Sequence, residues 1–454
     1  MEVILSERGK ELILYKNYKF SCKNLTKNGR KWRCTEKTCN AKLYVDEVKT
    51  TILKEETEHN HLPPKNVQRQ IISNQVKRKA MDDLIEKPLK LINKQIFTEK
   101  STNDLKIEDI SIIRQNLYRA RRKSIPKLPK NLRETQEIIM STTTLTNRNE
   151  EYLLINDFEN NITAFSTVTN LKFICYQEKI FMDGTFSYCP KYFYQLFTIH
   201  TVNNLHYIPL IFFLLPSKES IVYERALKAL IDICESKLSI KFNPKVCVVD
   251  FEKSLHNDII TVWPTIILHG CRFHLSQAWW RKIQNLGLTS EYKNDLSEIG
   301  QWLRWIFGLS LLEPENVLNL FANDFMSIKS TDERVTQFSD YLINMYIDEG
   351  ATFPPFMWAS CSISSERTTN ACESFHSAFG KYFYSAHPNI FVFLEVLKLI
   401  QVQIYIKINS IQKENKIQNS KYKKQKTNID DHISRYKYIN MFQFVKSVSH
   451  HYKK

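Results

Sequence analysis

The chain has 454 residues, of which 43% are hydrophobic, so it is long enough for two or three domains with at least one buried core. Its formal net charge of +16 predicts a polyanionic partner, with nucleic acid first and an anionic membrane surface second. The longest apolar run, YIPLIFFLLP at 207–216, is about half of the ~20 residues that span a bilayer, and the N-terminus lacks the features of a secretory signal. We therefore expect an intracellular protein with no membrane partner, whose ten cysteines are buried thiols or metal ligands rather than a disulfide framework.

The nine glycines exclude several classes of nucleotide-binding protein and hydrolase. No two of them have the spacing of a GxGxxG or GxxxxGK loop, in which backbone amides hold phosphate groups. The GxSxG turn that exposes a nucleophilic serine is also absent from the sequence.

Residues 1–64 predict a small β-rich domain that binds a metal ion. Short alternating stretches such as ELILYKNYKF and AKLYVDEV predict strands, and the two prolines after HNH mark a boundary. Four residues separate Cys34 from Cys39, and a single Asn separates His59 from His61. Two thiolates and two imidazoles make a tetrahedral Zn²⁺ shell, and histidines two apart in extended chain point the same way. A domain this small would barely fold without the metal.

The same stretch resembles the FLYWCH zinc finger over about residues 3–62. The resemblance rests on four short motifs, which are YKF at 18–20, WRC at 32–34, C-x-A at 39–41 and HNH at 59–61. It implies that Trp32 packs in the core of the finger rather than contacting DNA. Cys22 fits no ligand position, and we expect a packed thiol there.

Residues 65–150 predict a polar helical linker that ends in IPKLPK. Within it, residues 111–130 carry seven basic side chains and no acid. On a helix this density exceeds what solubility needs, and it predicts contact with DNA phosphates. A solvated helix face and a nuclear-import signal are the alternatives. The predicted DNA-binding residues are Arg114, Arg119, Arg121, Arg122 and Lys123.

Residues 151–400 predict an α/β domain. Its first strands lie within KFICYQEKIFMD (a strand or a strand pair), YFYQLFTIHTV and HYIPLIFFLLP. An amphipathic helix (ESIVYERALKALIDICESK), a short apolar strand (PKVCVVDFE), a second helix (KSLHNDIITVWP) and one more strand (TIILHG) follow. This order predicts a mixed sheet with at least one parallel crossover. From 275 the pattern becomes helical and rich in tryptophan.

Three acids in this domain stand where a catalytic metal site would need them. Asp183 ends one apolar strand, Asp250 ends another, and Glu373 is expected in the first turn of a helix capped by Thr369 or Asn370. Sites in α/β sheets gather where strands end, and carboxylates there can hold Mg²⁺ ions for phosphoryl transfer. The alternative is that each aspartate is a solvated turn residue and that Glu373 only stabilises its helix end.

Four motifs in order resemble the transposase domain of Mutator-like elements (MULE) over about 175–385. They are DGTF at 183–186, VDFE at 249–252, C-x-x-H at 271–274 followed by QAWWRKI, and TNxxESFH at 369–376. The resemblance implies a ribonuclease H-like core with a helical insertion at about 275–360, and a catalytic DDE triad of Asp183, Asp250 and Glu373. Glu252 is expected to support the site if the strand continues past Asp250. Gly184 is expected to let the backbone turn tightly beside the metals and admit a DNA phosphate.

The sequence leaves two interpretations open for Cys271 and His274. Their spacing would suit half of a zinc site, although no second pair lies nearby in the sequence. The MULE resemblance implies a structural or DNA-handling role for this pair. The alternative is a buried thiol beside a histidine at the start of a helix.

Together these features predict a nuclear DNA transposase with a FLYWCH-type zinc finger (1–64), a basic linker (65–150), a ribonuclease H-like domain (151–400) and a basic tail (401–454). Its expected cofactors are Zn²⁺ in the finger and Mg²⁺ or Mn²⁺ at the acids. Its expected partner is double-stranded DNA at transposon ends and in the target. A single chain or a homo-oligomer would bind this DNA. The tail segments KYKKQK and HYKK are either a second DNA contact or disordered. The alternatives are a domesticated transposase that regulates transcription without catalysis, and a nuclease without strand transfer. No cysteine follows residue 390, whereas many MULE relatives carry a Cys/His-rich SWIM motif there.

Overall fold

The computed structural model describes residues 1–6, 9–26, 29–56, 58–99, 105–142, 144–203, 206–360, 370–413 and 440–449. The chain forms two compact units, Met1–Leu128 with Tyr382–Tyr384, and Pro129–Lys381 with Ser385–Lys454. No helix in these described ranges is long and apolar enough to cross a membrane. The tail segments KYKKQK and HYKK lie outside the described residues, as does Thr369.

The first unit begins with a six-stranded antiparallel sheet whose strands pair in chain order. Its strands are β1 (Glu2–Leu5), β2 (Glu11–Tyr15), β3 (Tyr18–Thr26), β4 (Gly29–Cys34), β5 (Lys42–Val45) and β6 (Ile52–Glu56). Alternation along β4 and β5 puts Trp32, Leu43 and Val45 on one side, where all three are fully buried. Lys16 and Asn17, at φ 48° and 65°, form the two-residue turn between β2 and β3. The predicted burial of Trp32 is confirmed.

Cys22 is exposed on β3, so the prediction of a packed thiol is wrong. A bulge interrupts the β3–β4 register between Cys22 and Asn24. A bulge inserts one residue and breaks the alternation of faces, which the sequence pattern alone does not reveal.

Three helices complete the first unit, namely α1 (Val67–Asp82), α2 (Pro88–Thr98) and α3 (Ile107–Ser124). They share a buried core of Ile72, Val76, Ile92, Ile113 and Leu117. The Gln70 and Asn74 side chains on α1 donate hydrogen bonds to the Leu5 carbonyl at 2.6 and 2.9 Å. Because α1 is bonded to the sheet in this way, the boundary predicted at residue 64 falls inside one compact unit.

The second unit is built on a seven-stranded mixed sheet in the order β13-β12-β9-β10-β11-β8-β7. Its strands are β7 (Leu153–Asp157), β8 (Ile162–Phe165), β9 (Lys179–Thr185), β10 (Gln195–Asn203), β11 (His206–Leu215), β12 (Val246–Val249) and β13 (Ile267–Gly270). The β9–β12 and β12–β13 pairs are parallel, and the other pairs are antiparallel. The predicted mixed α/β sheet with parallel crossovers is confirmed.

Helix α4 (Leu132–Ser141) precedes β7, and the helices that connect the strands are α5 (Val168–Cys175), α6 (Ser220–Leu238) and α7 (Lys253–Val262). Helix α5 corrects one prediction, because the KFIC part of KFICYQEKIFMD is the end of this helix and not a strand. The Thr167 hydroxyl caps α5 by accepting a hydrogen bond from the Asn170 amide. Leu171 and Ile174, three apart, are the buried face that a short helix presents.

After β13 the described residues form helices only. They are α8 (Arg272–Asn285), α9 (Thr289–Lys293), α10 (Glu298–Ile306), α11 (Pro314–Leu320), α12 (Glu333–Leu342), α13 (Pro355–Trp358), α14 (Asn370–Gly380), α15 (Ile390–Lys413) and α16 (Met441–Ser449), with 3-10 or π turns at Phe307–Leu311, Phe321–Phe325 and Ile343–Ile347. The rings of Trp279 and Trp358 pack 5.5 Å apart inside this helical region. Helix α15 crosses the tail boundary placed at residue 400, since its apolar side chains are part of the core.

Candidate functional site

Four Cys and His side chains converge in the first unit. Cys34 ends β4, Cys39 lies in the turn that follows, and His59 and His61 come after β6. One ligand atom from each residue lies within 4.8 Å of the other three. The Sγ atoms of Cys34 and Cys39 are each 3.3 Å from an imidazole nitrogen, His61 Nε2 and His59 Nδ1 respectively. Two sulfur and two nitrogen donors this close together fit a zinc ion, as the spacing predicts.

The neighbours of this cluster orient its imidazoles for metal binding. His61 Nδ1 lies 2.9 Å from the Leu62 carbonyl, and donation to that carbonyl leaves the Nε2 lone pair free for an ion. The Tyr18 ring stacks on His59 at 3.5 Å between centroids, and the Tyr18 hydroxyl donates to the His61 carbonyl at 3.0 Å. Burial lowers the pKa of His59, which keeps this ring in the neutral form that binds metals.

In the second unit, the parallel pairing of β9 with β12 brings two of the predicted acids together. Val246 pairs with Lys179 and Val248 with Phe181, and Asp250 and Asp183 each follow this last pair by two residues. Side chains in register on neighbouring strands point to the same face of a sheet. Phe181 and Val248 pack on this face against Cys372 of α14. Asp183, inside β9, therefore lies on the face that α14 covers, and Asp250 directly follows the neighbouring strand β12.

His274 links Asp250 to Glu373. His274 lies in the first turn of α8 and Glu373 in the first turn of α14. His274 Nε2 is 2.9 Å from Glu373 Oε1, and its Nδ1 is 3.3 Å from Asp250 Oδ1, without hydrogen-bond alignment on the Asp250 side. Burial lowers the pKa of His274, but its Cys271 and Glu373 partners outweigh that effect and raise the pKa to about 11. His274 therefore contacts the carboxylates of Asp250 and Glu373 at the same time.

Asp183 has its own histidine partner, which the sequence interpretation missed. Its Oδ2 is 3.2 Å from His376 Nδ1, and its Oδ1 accepts a hydrogen bond from the Gly184 amide at 2.9 Å. Asp183 and His376 are 7% and 6% exposed. The sequence carried one signal for this residue, because His376 follows Glu373 by three positions and so lies one helical turn further along the same face.

Within the described residues, the three acids do not form a metal-ligand cluster of the kind that the four Cys and His side chains form. Cys271 and His274 belong to the surroundings of these acids, and no second Cys or His pair completes a zinc site with them in the described chain. Cys271 is fully buried and caps the start of α8, which matches the buried-thiol interpretation.

Two sequence expectations about residues next to the acids are wrong. Gly184 lies inside β9 and has no positive φ, so it forms no tight turn. A Cβ at this position would overlap the Gln195 side-chain amide, which explains the glycine by close packing. Strand β12 ends at Val249, so Glu252 does not continue a strand face and instead caps the start of α7.

Four of the five predicted DNA-binding residues, Arg114, Arg119, Arg122 and Lys123, are exposed on α3. Arg121 is 3% exposed, and its guanidinium donates to the carbonyls of Ala80, Asp83 and Glu86 at 3.2, 2.7 and 2.7 Å. It closes the turn between α1 and α2, where those carbonyls would otherwise lack partners. The DNA-contact prediction is therefore corrected at Arg121.

Comparison with known families identifies two segments of the chain. Residues 179–278 match the MULE transposase domain, and residues 3–61 match the FLYWCH zinc finger domain. No curated protein matches this chain. The MULE segment contains Asp183, Asp250, Cys271 and His274 but ends before Glu373. The two matches indicate a transposase-related DNA-binding protein, and the Cys/His cluster supports zinc in its finger.

Proposed function

We propose that this protein is a Mutator-like DNA transposase with a ribonuclease H-like catalytic core, which cleaves phosphodiesters at transposon ends and transfers the strand to target DNA. The observation that carries the proposal is that two histidines link the three acids: His376 lies 3.2 Å from Asp183, and His274 contacts both Asp250 and Glu373. DNA is the substrate, so the nucleus is the proposed location.

The three acids fit Mg²⁺ or Mn²⁺ by their chemistry. Carboxylate oxygens are the ligands that these hard cations prefer, and the imidazole between Asp250 and Glu373 marks a position that favours positive charge. Bound divalent ions would activate the attacking hydroxyl and stabilise the charge on the leaving oxygen. The chain's own contribution is to hold the carboxylates inside β9, directly after β12 and in the first turn of α14, which keeps their spacing rigid.

The first unit would supply DNA affinity through its zinc finger and the exposed cations of α3. Arg114, Arg119, Arg122 and Lys123 are exposed and form no ion pair with an acid in the described part of the chain. Such cations gain by replacing the counterions that surround DNA phosphates. The formal net charge of +16 makes the whole chain positive as well, which favours its attraction to DNA.

Replacing Arg119, Arg122 and Lys123 together by alanine is expected to reduce the salt dependence of DNA binding. Each phosphate contact adds about 0.9 to the slope of log affinity against log salt, so the magnitude of the slope should fall by about 2.7. Fluorescence anisotropy of a labelled duplex at several salt concentrations measures this slope. Lys90→Ala is the matched control, because Lys90 is also exposed in the first unit but pairs with Glu86 at 2.9 Å. An unchanged slope in the triple variant would remove α3 from the DNA-binding surface.

The catalytic part of the proposal is tested by incubating the purified full chain with supercoiled plasmid and Mn²⁺, then with a labelled DNA end and a second target molecule. Cleavage followed by joining of the labelled 3′ end is the expected result for a transposase. Cleavage without joining would favour a nuclease. Folded, DNA-binding protein that leaves the plasmid intact would favour a transposase-derived regulator.

A further inference from the structure

The helix that carries Glu373 also carries a histidine that contacts Asp183 across the sheet. His376 is buried, and its two ring nitrogens face different partners. Nδ1 is 3.2 Å from Asp183 Oδ2, and Nε2 is 3.0 Å from the Thr198 hydroxyl oxygen. Thr198 is the register partner of Asp183 on the neighbouring strand β10, so the carboxylate, the hydroxyl and the imidazole form one cluster.

A second histidine extends this cluster into the core. His200 Nε2 lies 2.8 Å from the Thr198 hydroxyl oxygen, while its Nδ1 is buried without a hydrogen-bond partner among the described residues. Burial lowers the pKa of His200 well below its ordinary value, so this ring is neutral. Its single proton belongs on Nε2, because an N–H at Nδ1 would be buried without an acceptor. Thr198 therefore accepts a hydrogen bond from His200.

The single hydroxyl proton of Thr198 has two acceptors within reach, His376 Nε2 at 3.0 Å and the Asp183 backbone carbonyl at 3.1 Å. If it goes to Nε2, the His376 ring carries its proton on Nδ1, where it points at Asp183. If it goes to the carbonyl, Nδ1 must still carry a proton, since a lone pair facing a carboxylate oxygen would repel it. In both arrangements His376 donates to Asp183 Oδ2.

We infer that His376 is a positioning residue for Asp183, and that Thr198 and His200 hold it in the orientation that donates to this carboxylate. The inference rests on the proposed function, because it assigns Asp183 to the catalytic metal site. Asp183 Oδ1 is held by the Gly184 amide and Oδ2 by His376, so the carboxylate has one fixed orientation and keeps its remaining lone pairs for a cation.

Residues that hydrogen-bond a metal-binding carboxylate usually set its affinity, and their loss costs about 10–100-fold in metal binding or activity. His376→Ala should therefore raise the Mn²⁺ concentration for half-maximal plasmid cleavage at least about tenfold. The KM for DNA should stay within about twofold, since the His376 side chain is buried. His376→Asn should recover most of the loss, because its amide nitrogen can take the place of Nδ1.

Thr198→Val separates this role from general packing. This variant keeps His376 and Asp183 but removes the hydroxyl between the two histidines. It should also raise the Mn²⁺ concentration for half-maximal plasmid cleavage. Thr201→Val is the matched control on the same strand, because the Thr201 hydroxyl donates at 2.9 Å to the Lys179 carbonyl and not to this cluster. Mn²⁺ binding to the full chain, measured by electron paramagnetic resonance, gives a second readout that does not need cleavage.

The outcomes distinguish this inference from the function on which it rests. A wild-type chain that cleaves, with Thr198→Val and His376→Ala folded and unchanged in their Mn²⁺ dependence, would overturn the inference alone. If His376→Ala does not fold, Thr198→Val compared with Thr201→Val decides the question. A folded wild-type chain that neither cleaves nor binds Mn²⁺ beyond the level of Asp183→Asn would overturn the proposed function and this inference with it.

Discussion

Asp250→Ala is expected to abolish metal-dependent DNA cleavage while leaving DNA affinity nearly unchanged. In the proposed function Asp250 holds a divalent ion between β12 and the first turn of α14. Metal ions supply several kcal/mol of charge stabilisation in the transition state, and each 1.36 kcal/mol is tenfold in rate. We therefore expect a fall of about 10³-fold or more in the rate of plasmid nicking, measured with purified full-length protein in Mn²⁺.

Asp232→Ala is the matched control for this substitution. Asp232 is an exposed carboxylate on α6 in the same unit, so its replacement changes the charge by the same amount away from the three acids. Its nicking rate should equal that of the wild type. If Asp250→Ala nicks the plasmid as fast as the wild type, Asp250 has no role in the reaction. Loss of DNA binding in both variants would point to an effect of charge alone.

Cys34→Ser is expected to lower the zinc content of the purified chain by about one equivalent and to destabilise the first unit. Metal binding and folding are coupled in small zinc domains, where the apparent binding free energy is about 10–16 kcal/mol in finger peptides at pH 7. The sheet has few other sources of stability, because its buried core is a small set of side chains that includes Phe20, Trp32 and Leu43. Mass spectrometry of the metal and a thermal melt followed by tryptophan fluorescence measure the two effects.

Cys22→Ser provides the same chemical change in the same sheet without touching the cluster. Cys22 is exposed on β3, so this variant should keep its zinc and its melting transition. Unaltered zinc content in Cys34→Ser would contradict the four-ligand site. Zinc loss in both variants would instead indicate that the ion binds to any available thiol.

The two candidate sites differ in how far the sequence could predict them. The zinc ligands come as two close pairs, Cys34 with Cys39 and His59 with His61, so local spacing indicates their chemistry before any fold is known. The acids are each typical of a strand end or a helix start, and only their order resembles a family. The contacts of their histidine partners were harder to predict from the sequence, since the Thr198–His376 contact joins residues 178 positions apart.

Arg121 shows why a charge pattern does not separate function from folding. It stands in the run Arg119, Arg121, Arg122 and Lys123, and nothing in composition distinguishes it from its neighbours. The helical period turns its side chain toward the carbonyls between α1 and α2, where three hydrogen bonds hold it. The adjacent Arg122 faces solvent because one residue rotates the helix by about 100°.

The sequence by itself indicated the zinc ligand set and the order of strands and helices from β9 to β13, because each depends on spacing or alternation within a short segment, and the resemblance to the FLYWCH finger implied the burial of Trp32. Only the tertiary structure decided which imidazole meets which acid, why residue 184 is glycine, and which arginine closes a turn. These depend on register across the sheet and on where α8 and α14 cross it, and a contact between distant segments leaves no local periodicity. The carboxylates could therefore be proposed from the sequence, whereas the side chains that orient them required the packed fold.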